Sequence, residues 1–131
     1  MSWIKGIRDS IFNPQEHAIL KSGETAEKKV AQALIQLKKE GKIKGFKKTE
    51  KFSEEDKKGI DFIIYQDFPT PVYIQVKSHL NKEEINSLKL ERVDYDIWFK
   101  GGIFTFQAAP NDSVKKIKNK IERILIIAKK L

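Results

Sequence analysis

Apolar positions along the chain follow two rhythms, one of three to four residues and one of two. In SGETAEKKVAQALIQLKKEGK the first rhythm places Ala26, Val30, Ala33, Leu34 and Leu37 on one stripe. That stripe predicts an amphipathic helix, which Ser22 can cap and Gly41 can end. The same rhythm returns in NDSVKKIKNKIERILIIAKKL, where Val114, Ile117, Ile121, Ile124 and Ala128 share a face and the lysines fall mainly on the other. Residues 112–131 are therefore expected to form a C-terminal amphipathic helix. Upstream, NPQEHAIL carries an N-cap, a first-turn proline and a capping box in Asn13, Pro14 and Glu16, so residues 1–21 read as an N-terminal helical extension.

Between the helices the rhythm shortens. IKGFKKTEKF predicts a first strand, SEEDKKG a charged connector, and Gly59 a tight turn. Residues 60–66 and 72–78, rich in Ile, Val, Tyr and Phe, flank DFPTP and predict a hairpin. Asn81 with Glu84 repeats the capping box and opens a short helix to about Leu90; DYDIWFKGGIFTFQ reads as two strands around Gly101 and Gly102. The order α, β, β, β, α, β, β, α predicts one α/β domain over residues 1–131, a central mixed sheet flanked by helices on both sides.

Strand alternation gives the hairpin two unlike faces. Val72, Ile74 and Val76 form a core side, and Tyr73, Gln75 and Lys77 point the other way. A hairpin folded about Pro69 puts Asp61 across from about Lys77, with Gln75 its diagonal neighbour. Three polar groups could then surround one small cation or one phosphate oxygen. Glu27 lies at the edge of the first helix's apolar stripe, whereas Glu24 faces solvent and suits the helix dipole.

Composition narrows the classes. With no cysteine, disulfides and thiolate chemistry are excluded. No apolar run approaches the length of a transmembrane helix, and no signal peptide is legible, so a cytoplasmic protein without membrane contact is expected. The net charge of +8 is uneven: residues 28–51 carry +7 and residues 112–131 carry +5. Clustering of that kind suits a polyanion. Lys47, Lys48, Lys51, Lys57 and Lys58 flank the polar set in sequence and are the best candidates for phosphate contacts. Trp98, Phe104 and Phe106 are read as core, and His17 and His79 as surface residues. No phosphate-binding loop, nucleophile elbow or zincin helix is present.

Gly23-x-x-x-Glu27 on a first helix, then Gly59-Ile60-Asp61, then Gln75-x-Lys77 on the next strand, resembles the PD-(D/E)XK nuclease superfamily. Within it the pattern is similar to Mrr-type restriction endonucleases and archaeal Holliday-junction resolvases. The resemblance spans residues 22–108 and implies a restriction-endonuclease-like fold and a Mg²⁺- or Mn²⁺-dependent endonuclease acting on DNA, with a homodimer plausible for cutting two strands. It implies Asp61 as central metal ligand, with Gln75 and the Val76 carbonyl beside it. Glu27 would bind metal directly or through water, and Lys77 would orient or deprotonate the attacking water or stabilise the pentavalent phosphate. Ile60 stands where the superfamily name has Pro, and Gln75 where it has an acid. An uncharged amide should weaken metal binding, and it leaves open a domain that binds nucleic acid without cutting it.

Overall fold

The computed structural model describes residues 26–50, 53–67 and 70–131. The expected helix starts at residues 13–16 and 22, His17, and Lys51 lie outside the described residues. Helix α1 (Ala26–Lys39) buries Ala26, Val30, Ala31, Ala33, Leu34 and Leu37, the predicted stripe with one further alanine. It stops where the sequence predicts. Gly41 takes φ +76°, its N–H donates to the Lys38 carbonyl, and the Lys42 N–H donates to the Leu37 carbonyl. That pair of bonds closes a Schellman cap, for which a left-handed glycine is the default residue.

Strand β1 (Gly45–Lys48) follows, then a one-turn helix α2 (Glu54–Lys57), the hairpin strands β2 (Phe62–Tyr65) and β3 (Val72–Lys77), and a short helix α3 (Lys82–Ser87). The expected capping box is present, with Asn81 Oδ1 accepting from the Glu84 N–H at 2.8 Å. Strands β4 (Glu91–Asp94), β5 (Ile97–Lys100) and β6 (Ile103–Gln107) precede the last helix, α4 (Val114–Lys129).

The six strands make one mixed sheet in the order β1-β2-β3-β6-β5-β4. Only β3 and β6 pair in parallel. Strand alternation then sorts the side chains. Phe46, Phe62, Ile64, Val72, Ile74, Phe104 and Phe106 form one continuous core with the stripes of α1 and α4. The two long helices therefore share one face of the sheet. On the opposite face the described contacts come from shorter elements: Glu84 of α3 reaches Lys77, and Gly59, just after α2, abuts Gln75.

Two residues of the α4 region depart from the simple amphipathic reading. Lys120 is buried, with Nζ donating to the Gln107 carbonyl at 2.8 Å and lying 3.9 Å from Asp96 and 4.0 Å from Asp112. Burial pushes its pKa below the ordinary lysine value, with the two carboxylates partly opposing the shift. Asp112, also buried, accepts from the Ala109 N–H and pairs with Lys116. Burial acts to raise its pKa, but those hydrogen bonds and lysines outweigh it, and the carboxyl sits below its usual range. This network ties α4 to the end of β6.

Candidate active site

The polar set of the hairpin gathers at one end of the sheet. Thr49, just beyond β1, anchors Asp61 from one side: its N–H donates to the Asp61 carbonyl at 3.0 Å, and its hydroxyl donates to the Ile60 carbonyl at 2.7 Å. From the other side the Asp61 N–H donates to the Ile74 carbonyl at 2.9 Å. The carboxylate then reaches across the strand, Oδ2 accepting from the Val76 N–H at 2.7 Å. A backbone pinned on both sides and a side chain locked by a charge-assisted bond leave Asp61 little freedom.

The register differs from the expected one. Phe62 pairs with Ile74, so position 61 lies level with about Gln75, and Lys77 is two residues further along. The sequence estimate had put Asp61 across from Lys77. The paired strands are centred one residue earlier in the chain than a fold about Pro69 implies. The face assignment stands: Gln75 and Lys77 oppose Ile74 and Val76 by strand parity, and Tyr73 lies with them.

Gln75 is held tightly. Its Oε1 accepts from the Thr105 hydroxyl on the adjacent parallel strand at 3.3 Å. Its amide lies so close to Gly59 that a Cβ there would stand 2.7 Å from Nε2. Gly59 has φ +88°, so the position favours glycine for conformation and for space alike. Lys77 lies 3.6 Å from Glu84, a contact that strand alternation alone could not reveal.

Glu27 arrives at the same end from the helix side. Its carboxylate pairs with Lys48 at 3.0 Å, and the Lys48 ammonium sits 5.9 Å from the Phe62 ring centre. Lys48 is the strand partner of Phe62, the residue after Asp61. Glu27 thus belongs to the same sheet end, on the helix-covered face and neutralised by a lysine. Lys47, Lys57 and Lys58 are exposed, as phosphate contacts would require. A cleft of about 730 Å³ is lined by Thr70, Pro71, Gly101 and Gly102 together with Lys58 and Ile60, and the Asp61, Gln75 and Lys77 side chains do not line it.

As a cation site, the donors are few. Among the described residues no three His, Cys, Asp or Glu side chains cluster. Mg²⁺, however, needs only one or two carboxylates with waters completing its octahedron. Asp61 with the Gln75 side-chain carbonyl oxygen is a minimal set of that kind, whereas Glu27 pairs with Lys48 on the helix-covered face.

Trp98 is not core. Its strand neighbours Ile97 and Phe99 face the helices, which puts the indole on the other face, beside Arg92 of β4. Phe104 and Phe106 are buried as expected, and His79 is exposed. Sequence reasoning passed over Thr49, Arg92 and Tyr95. For Trp98 the signal existed, since parity with two apolar neighbours places it.

No family description, curated protein or solved structure matches this chain. Among the described residues, no helix is long and apolar enough to cross a membrane.

Proposed function

We propose that this chain is a restriction-endonuclease-like, metal-dependent endonuclease that hydrolyses phosphodiester bonds in DNA, of the PD-(D/E)XK type. One observation carries the reading. Asp61 lies level with about Gln75, Lys77 follows two residues on along the same face of β3, and Thr49, Ile74 and Val76 hold Asp61 in place. Phosphodiester hydrolysis needs a positioned nucleophile and a cation to offset charge on the nonbridging oxygens. In this reading Asp61 and the Gln75 carbonyl hold Mg²⁺ or Mn²⁺, which supplies that positive charge. Lys77 orients the attacking water or stabilises the phosphate, and Glu84 beside it sets where the ammonium points. Exposed Lys47, Lys57 and Lys58 hold the DNA backbone through contacts that release counterions.

A second reading, a binding domain of the same fold whose metal chemistry has decayed, draws on two contacts. The Gln75 amide is already engaged by Thr105, and Glu27 by Lys48. Incubation with linear, branched and single-stranded DNA, with and without Mn²⁺, separates the two. Mn²⁺-dependent cleavage that Asp61→Asn abolishes supports the nuclease. Binding that falls with salt, without cleavage on any substrate, supports the decayed domain.

A further inference from the structure

The end of the sheet away from β1 carries a feature that hydrolysis does not use. The Arg92 guanidinium lies over two aromatic rings, its carbon 5.8 Å from the Tyr95 ring centre and 5.9 Å from that of Trp98. Trp98 and Arg92 are cross-strand partners, and Tyr95 begins the turn that joins their strands. A ring placed only to stabilise a hairpin would hide its face in the fold. Tyr95 is instead 80% exposed.

The turn is also held rigid. Arg123 of α4 grips Asp96 with both terminal nitrogens, at 2.8 and 3.3 Å, and reaches Asp94 at 3.3 Å. The Asp96 carboxylate raises the already high pKa of Arg123, so this fork stays charged at any relevant pH. Asp94 in turn accepts from the Tyr95 N–H at 2.7 Å. The exposed ring therefore sits on a turn fastened to the core helix.

Position ties this feature to the candidate active site. Arg92 pairs with Trp98, Trp98 with Thr105, and Thr105 with Gln75, one residue from each of four neighbouring strands. All four lie in one row on the face away from the long helices. Three strand spacings separate Gln75 from Arg92, about 14 Å, or roughly four nucleotides at ~3.4 Å per stacked step.

We propose that Tyr95, Arg92 and Trp98 form a stacking platform for unpaired bases of a DNA strand whose backbone lies toward Gln75 and Lys77. This rests on the nuclease reading for its substrate and deepens it, making single-stranded or unpaired DNA the preferred ligand. Aromatic rings and guanidinium planes accept any base by its π-face, so the platform selects unpaired structure rather than sequence. In a duplex the bases are stacked on each other and unavailable.

The test is binding without cleavage. Fluorescein-labelled oligo(dT) and a duplex of equal length are titrated in EDTA with wild type, Tyr95→Ala and Arg92→Lys. The lysine variant keeps the charge and removes the stacking plane. Wild type should prefer the single strand, and Tyr95→Ala should weaken that complex about tenfold. Arg92→Lys should weaken it severalfold, while both variants bind inorganic polyphosphate as wild type does. Tyr95 is exposed, so folding is not at stake; matched thermal melts check this. Equal affinities for oligo(dT) across the three proteins, equal losses for polyphosphate, or no wild-type binding would overturn the platform. Stacking-dependent binding with no cleavage anywhere sinks the nuclease reading and leaves the platform standing. Cleavage with variant-independent binding does the reverse.

Discussion

Alanine at Gly59 probes the geometry of the candidate site through stability alone. Two costs should add there. The first is conformational: φ is +88°, and an L-residue in that region pays about 1–2 kcal/mol. The second is steric, since the new methyl would stand 2.7 Å from Gln75 Nε2. Overpacking costs about 1–3 kcal/mol, and the low end applies because the obstructing atom ends a flexible side chain. Gly41 supplies the control. Its φ is +76° and nothing lies within 4 Å of its Cβ position, so Gly41→Ala should show the conformational cost alone. Urea denaturation of both variants, alone and combined with Gln75→Ala, separates the terms. Gly59→Ala should cost about 1 kcal/mol more than Gly41→Ala, and Gln75→Ala should remove that excess. A coupling below about 0.3 kcal/mol between positions 59 and 75 would refute the close approach. It would also remove the reason for treating Gln75 as fixed.

Four further outcomes are expected. Asp61→Ala should destabilise by about 1–3 kcal/mol because the Val76 N–H loses its acceptor, whereas Asp61→Asn keeps one and should melt near wild type. Gln75→Glu should tighten Mn²⁺ binding by adding a charged ligand, which a fluorescence or calorimetric titration reads directly. Asp112→Asn should flatten the acid limb of stability. The folded pKa of Asp112 is lowered, so its contribution is present above the unfolded value of 3.8 and lost as pH falls through the lower folded one. Wild type should therefore lose stability between pH 4 and its acid transition faster than the variant. Lys89, a non-glycine at φ +56° where α3 ends, should accept glycine with a gain of up to about 1 kcal/mol, measured as a raised melting temperature.

Much of the fold was legible because its core is periodic. The α1 stripe, the glycine at its end, the parity of β3 and the two strands around Gly101 and Gly102 all follow from spacing. Strand β4 was missed for a physical reason. It is an edge strand with Glu91, Arg92 and Val93 exposed, so no face of it carries an apolar alternation. A register irregularity between Arg92 and Asp94 breaks what pattern there was. Lys120 is an exception to the expectation that the lysines of the last helix fall mainly on its polar face. Its burial depends on Gln107, Asp96 and Asp112, all distant in sequence.

The candidate site was legible in kind rather than in detail. Which side chains share a face follows from strand parity, and Asp61, Gln75 and Lys77 were found that way. Their partners were not, since Thr49, Thr105 and Glu84 come from three other elements. Glu27 was recognised as an acid at the margin of a buried stripe. That Lys48 would claim it depends on the packing of α1 against β1.

The nuclease reading stands on a cation at Asp61. Calorimetric titration of Mn²⁺ into wild type and Asp61→Asn tests that most directly. A saturable wild-type isotherm near one site per chain, lost in a variant that keeps its melting temperature, is the expected result. Identical isotherms for the two proteins, or no heat from either, would contradict the metal site and the hydrolytic mechanism with it.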